Sequence, residues 1–235
     1  MENIVILDTE TTGLDPKNGK VIEIAAILYN IPSRSILAQT STLLRAEENA
    51  AYAVNRIEVD SLKAIPASIE NAGLAIITDM ITYCDAIVAH NAEFDKKWLE
   101  TVSGDLQVIT RNKKWICTKN DVIWPVRKGV SLSLITICAD LGVPIVCAHR
   151  ALSDCLLLLG ALECVEDIEY FLDKSGKGRI TYHAKTSFEQ RQIVKDAGFQ
   201  WDNLKKVWFA KLTEDQAATL PFMVYPAEQT LESLT

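Results

Sequence analysis

The apolar and polar positions of this chain fall into blocks whose periods distinguish strands from helices. Ile4-Val5-Ile6-Leu7 is apolar at every position and runs straight into Asp8-Thr9-Glu10-Thr11-Thr12-Gly13-Leu14. A run without alternation suits a strand buried on both faces in the middle of a sheet. Residues 14–19 have loop and turn composition, and the Ile-, Val- and Leu-dense stretch Val21–Tyr29 predicts a second strand. Ile36–Leu44 alternates, which predicts a more exposed third strand. Helical patterns follow at Val59–Ala64 and Ile69–Tyr83, the latter with Ile69, Gly73, Ile76, Ile77, Met80 and Ile81 at helical spacing. Ala86-Ile87-Val88-Ala89 predicts a fourth strand, with a helix beginning within residues 90–95 and reaching about Val102. Trp115–Cys117 reads as a short fifth strand, with helices after it at Asn120–Trp124, Leu132–Leu141 and Arg150–Val165. Strands and helices in this order predict an α/β fold with a mixed sheet.

Length and charge refine the picture. The 235 residues suffice for one sizeable domain, or one domain and a small appendage. No apolar run approaches the roughly 20 residues of a membrane span, and the chain passes almost at once into strand without a basic leader. Both observations lead to the expectation of a cytoplasmic protein without a membrane partner. The net charge of −7 argues against binding nucleic acid through bulk charge alone. That charge is uneven: residues 1–175 hold 16 Lys and Arg against 24 Asp and Glu, whereas residues 176–235 hold 8 against 7. The change falls at Lys174–Gly178, whose composition is that of a linker. The expected organisation is a main domain at 1–174, a small module at 179–228 and a tail at 229–235. The six cysteines form no C-x-x-C pair and no zinc spacing, so reduced, buried thiols are expected, with Cys147 and Cys155 as packing residues.

The chemistry sits where strands end and helices begin. Asp8 and Glu10 are two apart, so on an extended chain they share a face. Two carboxylates that close repel unless a proton or cation lies between them, and hard divalent ions prefer oxygen ligands. Asp95 lies in the first turn of the helix after the fourth strand, and His149-Arg150-Ala151-Leu152-Ser153-Asp154 opens the long apolar helix. Singly, each has an ordinary account: a solvated strand end, a carboxylate at a helix N-terminus, a loop histidine. Jointly, four carboxylates and a histidine are the set that metal-assisted phosphodiester hydrolysis requires. Glu23, inside an apolar strand, is expected to be hydrogen-bonded, His90 structural and Glu93 solvent-facing.

In these motifs the chain resembles the DnaQ-like, or DEDDh, 3′→5′ exonucleases. Asp8-Thr9-Glu10-Thr11-Thr12-Gly13, Ala89-His90-Asn91-Ala92-Glu93-Phe94-Asp95 and His149 through Asp154 match the family's three motifs, and the likeness covers roughly residues 3–166. Within the family, Trp115-Ile116-Cys117-Thr118 and Asp154-Cys155 look most similar to bacterial exonuclease X. The resemblance implies a ribonuclease H-like fold with a five-stranded mixed sheet. It further implies two Mg²⁺ or Mn²⁺ ions on Asp8, Glu10, Asp95 and Asp154, and His149 as general base. By the same resemblance the surroundings of Thr11 hold the 3′-terminal nucleotide, Leu14 matches a hydrophobic residue that wedges against the terminal base, and Asn91 matches a polar residue close to the scissile end. The implied activity releases 5′-mononucleotides from 3′ ends of mainly single-stranded DNA. RNA trimming and a non-catalytic 3′-end-binding or proofreading-type subunit are the alternatives. A homodimer and a replication or repair partner both stay open.

Beyond residue 178 the pattern predicts a small α+β module: strands at Arg179–His183, Phe199–Asp202, Val207–Lys211 and Phe222–Tyr225, with a helix at Ser187–Ala197 and a turn at residues 203–205. Between Arg179 and Lys211, seven Lys and Arg stand against three Asp and Glu, interleaved with Tyr182, Trp201, Trp208 and Phe209. Such a mixture serves single-strand binding, and equally a minimal core with Trp201 and Trp208 facing across a hairpin.

Overall fold

The computed structural model describes residues 1–227 except 103, 128–129, 174–179, 188–190 and 204. The chain divides into two compact units, Met1–Lys174 and Ser175–Thr235. In the first, strands β1 (Asn3–Thr11), β2 (Val21–Asn30) and β3 (Ser35–Leu43) precede helices α1 (Tyr52–Asn55), α2 (Val59–Ala64) and α3 (Ala67–Tyr83). Then come β4 (Ala86–Ala89), α4 (Ala92–Leu99), α5 (Asp105–Asn112), β5 (Lys114–Cys117), α6 (Leu134–Leu141), α7 (Ala151–Glu163) and α8 (Ile168–Asp173). The sheet order is β3-β2-β1-β4-β5. β2 runs antiparallel to β1 and β3, while β4 runs parallel to β1 and β5.

β1 is central because it is apolar on both faces. Ile4 and Ile6 pack under α7, whereas Val5 and Leu7 pack with α3 and α4, and all four are fully buried. Each such side chain contributes about 1.5–3 kcal/mol relative to exposure. Gly73 lets α3 lie close on β3, since a Cβ there would meet the Thr42 side chain at 2.4 Å. Cys155 extends the α7 contact, its Sγ 3.7 Å from the carbonyls of both Ile6 and Ala25.

Several expected elements differ. Asn120–Trp124 is a turn rather than a helix: the amides of Asn120 and Asp121 both donate to the Cys117 carbonyl, and Asp121 Oδ2 accepts the Cys117 amide. An Asp side chain that bonds nearby backbone competes with helix formation, and Pro125 disfavours helical geometry at Trp124. The helix expected to reach Val102 ends at Leu99, and a separate helix, α5, follows. α6 starts at Leu134 because Ser133 caps it, accepting the Thr136 amide. The short helices α1 and α8 were not expected from the pattern. Ile69 and Ile76 face water at 61% and 48% exposure, leaving Ile77, Met80 and Ile81 as the buried stripe of α3. Cys147 and Cys164 are exposed, in contrast to the buried thiols expected, while the other four cysteines are buried.

The second unit is a small antiparallel sheet with helices: β6 (Ile180–Ala184), α9 (Arg191–Asp196), β7 (Gln200–Asp202), β8 (Val207–Leu212), α10 (Glu214–Ala218) and β9 (Val224–Pro226), in the order β7-β8-β6-β9. Ala184, Val194 and Phe199 form its buried centre. Trp201 pairs directly with Trp208, their rings edge to face at 5.4 Å. α10, absent from the expectation, opens with a capping box between Thr213 and Gln216. Of the helix expected at Ser187–Ala197, Ser187 and Ala197 lie outside the helix, Arg191–Asp196 lie within it, and 188–190 are outside the described residues. The linker at 174–178 and the tail at 229–235 also lie outside them. Among the described residues no helix is long and apolar enough to cross a membrane.

Candidate functional site

The carboxyl end of β1 carries the first two carboxylates. The strand alternation places Asp8 and Glu10 on the Ile4/Ile6 face, over which α7 packs. A register shift between Glu10 and Thr11 ends the regular pairing with β2. α7 delivers the third carboxylate: oxygens of Asp8, Glu10 and Asp154 all lie within 4.8 Å of one another. Each of the three side chains is half-buried.

Asp95 arrives from the opposite side of the sheet. Its Oδ1 accepts the Thr9 amide at 3.1 Å and the Thr9 hydroxyl at 2.8 Å, so it is fastened to β1 between the two acids. A helix-dipole role alone would not bury it to 2% exposure against a neighbouring strand. Asn91, half-buried, begins α4 in the left-handed region at φ 79°, which Asn tolerates better than most residues. Parallel pairing of β1 with β4 sets these two strand ends side by side, the position at which open α/β sheets form their crevices.

His149 precedes α7, exposed and with a left-handed backbone at φ 63°. Its amide donates to Asp154 Oδ1 at 3.3 Å. The next residue, Arg150, is anchored by Glu23: Nε and Nη2 donate to the two oxygens at 2.9 and 3.0 Å. Glu23 also accepts the Ala151 amide and the Ser41 hydroxyl. This explains a charged residue within an apolar strand, because Glu23 is only 2% exposed. Glu23 stands directly opposite Glu10 across the β1–β2 ladder. Arg150 offsets a like-charge pairing that would otherwise destabilise it. The sequence signalled Glu23 as bonded; that its partner is Arg150, and that Thr9 holds Asp95, carried no local signal.

Thr11 is buried, its hydroxyl donating to the Gly13 carbonyl at 2.6 Å, and Asn55 donates to its carbonyl. Leu14 is 89% exposed at the tip of the following turn. Gly19 closes that turn against the Trp98 ring, which a Cβ would meet at 2.6 Å. His90 donates from Nε2 to the Leu132 carbonyl at 2.9 Å and lies 3.0 Å from the Thr118 hydroxyl through Nδ1. Burial lowers its pKa to about 4, so it is neutral and structural. Glu93 is exposed.

The electrostatics of the cluster favour a cation. Burial, then the charges of Asp95, Asp154, Glu10 and Glu23, raise the Asp8 carboxyl well above its ordinary value. Burial and then Asp154 and Glu23 raise Glu10 to about 8, with Arg150 opposing. Burial raises Asp95 to about 7 against the Thr9 hydrogen bonds, and raises Asp154 against the His149 amide and charge. Hard oxygen donors that resist ionising together suit a hard divalent cation. Asp8, Glu10 and Asp154 are the residues that would hold one, with Asp95 adjoining.

Residues 5–162 match the family model described as Exonuclease (RNase_T), and residues 180–227 match one described as a domain of unknown function (DUF8626). The DNA polymerase III subunit epsilon of Treponema pallidum is 29% identical over 154 residues, covering 63% of this chain and 68% of that protein. A PolC-type DNA polymerase III of Thermotoga maritima is 30% identical over 155 residues, 64% of this chain but 11% of the polymerase. E. coli exonuclease I, crystallised with a dT13 oligonucleotide, aligns at TM-score 0.58 and 14% identity, over 79% of this chain and 49% of that one. The chain spans about a tenth of the PolC-type polymerases and about half of exonuclease I. The shared fold is the ribonuclease H-like mixed sheet that the motifs implied.

Proposed function

This chain belongs to the exonuclease family, and on that premise we propose that it is a metal-dependent 3′→5′ exonuclease releasing 5′-mononucleotides from single-stranded DNA. The observation that carries the reading is the convergence of Asp8, Glu10 and Asp154 within 4.8 Å, next to Asp95. Mg²⁺ or Mn²⁺, as a pair, would be held by these four carboxylates. When bound, the cations supply the positive charge that acidifies water and steadies the departing 3′ oxygen.

The chain's own residues do the rest. Asp95 keeps its orientation through Thr9, and Asp154 through the His149 amide. His149, exposed beside Asp154, takes the proton of the attacking water on an imidazole nitrogen. Thr11 and Asn91 hold the terminal nucleotide at the two strand ends, and exposed Leu14 wedges against its base. DNA is preferred because the relatives are named as DNA polymerase III proteins and exonuclease I was crystallised with dT13. The same names make a replication or repair complex the proposed setting.

Digestion of matched 5′-labelled DNA and RNA single strands in Mg²⁺, with EDTA and Asp154→Ala controls, tests the reading. A descending ladder on DNA, lost in both controls, is expected. A ladder chiefly on RNA would transfer the same site to RNA processing. No ladder on either would leave a 3′-end-binding module.

A further inference from the structure

The second unit contains a cavity of about 880 Å³ whose lining joins Trp201 and Trp208 to Lys185, Arg191, Lys195 and Lys206. The cations come from three separate segments: the residue after β6, the helix α9, and the turn before β8. No acidic side chain is among the described residues that line it. Four cations gathered around one cavity repel each other, so the arrangement favours an anionic occupant. It also runs against the charge of the whole chain, which is −7.

The tryptophans divide their work. Trp208 packs against the small core of Ala184, Val194 and Phe199, whereas Trp201, on the edge strand β7, is 43% exposed. Trp208 holds the Trp201 ring edge to face, presenting a rigid aromatic surface to the cavity. Packing alone accounts for Trp208 and leaves the exposed ring of Trp201 without a reason. Cations contributed by several segments suit a line of phosphates better than one anion, and an exposed indole suits a base.

We propose that this cavity binds a single strand of nucleic acid, with a base stacked on Trp201 and backbone phosphates paired with Lys185, Arg191, Lys195 and Lys206. That the strand is the one being trimmed rests on the exonuclease reading; the binding itself does not.

The experiment is fluorescence anisotropy of a 5′-labelled oligo-dT of about 15 nucleotides with the full chain in EDTA, across a salt series. Trp201→Ala is expected to weaken binding by at least about fivefold, the low end for loss of one stacked base. The double variant Lys185→Glu and Lys195→Glu alters two exposed side chains. It is expected to weaken binding and to reduce the log–log salt slope by about 1.4, since each single-strand phosphate contact contributes roughly 0.7. Cleavage of a dinucleotide in Mg²⁺, which engages only the carboxylate site, is expected to be unchanged in both. Wild-type affinity and salt slope in the charge variant, with circular dichroism unchanged, would overturn the proposal, as would absence of oligo-dT binding by the wild-type chain. Loss of affinity in the variants together with a wild-type chain that cuts no DNA would uphold this site and refute the exonuclease reading.

Discussion

Raising the pH in the presence of a chelator should destabilise this protein, and divalent cations should reverse the effect. Glu10 is raised from 4.5 to about 8 and Asp95 from 3.8 to about 7, with Asp8 and Asp154 raised as well. A carboxyl whose folded value is raised keeps its proton in the native state while the unfolded chain has already lost it. Its stabilisation is therefore complete below about pH 4 and is lost as the pH climbs through 7 to 8. At ~1.4 kcal/mol for each tenfold change in acidity, Glu10 and Asp95 each correspond to a loss on the order of 4 kcal/mol. Asp95 is itself one of the charges that raise Glu10, so the two do not add, and ~4 kcal/mol is the net loss expected. For a unit of this size, ~2–4 °C per kcal/mol places the melting temperature about 10 °C lower at pH 8 than at pH 5. A cation at 100 times its Kd should restore about 2.7 kcal/mol at pH 8. Thermal melts by circular dichroism at four pH values, in EDTA and in Mg²⁺, provide the assay. Glu10→Gln is the control that should shrink the pH dependence, leaving the part that burial of Asp95 causes. A melting temperature that is level or rising from pH 5 to 8 in EDTA, with the control indistinguishable from wild type, would refute the reasoning.

Glu23→Gln keeps the shape but cannot accept from Arg150, Ala151 and Ser41 at once, so it should cost about 2 kcal/mol after allowing for the 42% exposure of Arg150. A melting temperature lower by about 4–8 °C and reduced turnover are expected, and an unchanged melt would remove Glu23 as the anchor of the His149 segment. Thr9→Val removes the 2.8 Å hydroxyl bond to Asp95 while leaving the amide bond. It should raise the Mg²⁺ concentration needed for half-maximal cleavage, and an unaltered titration would disprove that role. His149→Gln should lower single-turnover cleavage about 10²–10⁴-fold with strand affinity retained. A loss below tenfold would exclude His149 as the base.

Much of the first unit was legible from local pattern, because a central strand must be apolar on both faces and Ile4–Leu7 and Ala86–Ala89 satisfy that without tertiary help. The same holds for Asp8 and Glu10, since a strand's period of two puts them on one face. Local pattern failed where side chains bond the backbone or where burial is set by a partner. Asp121 turned an expected helix into a turn, and the helical spacing of α3 could not say that Ile69 and Ile76 look outward. In the second unit the Trp201–Trp208 pairing was readable, but not the cavity, because α9 and the turn before β8 meet only through the fold.

The sequence by itself determined that carboxylates and a histidine stand at strand ends and helix starts, and in what order, since residue type and strand periodicity are local properties. Only the tertiary structure decided how they meet. Asp154 reaches Asp8 and Glu10 because α7 packs on their face of the sheet, and Asp95 crosses to β1 through Thr9 from the other face. Glu23 and Arg150, 127 positions apart, became an ion pair because pairing with β2 set Glu23 opposite Glu10. Contacts of that separation depend on how helices stack on a sheet, and no local periodicity encodes that stacking.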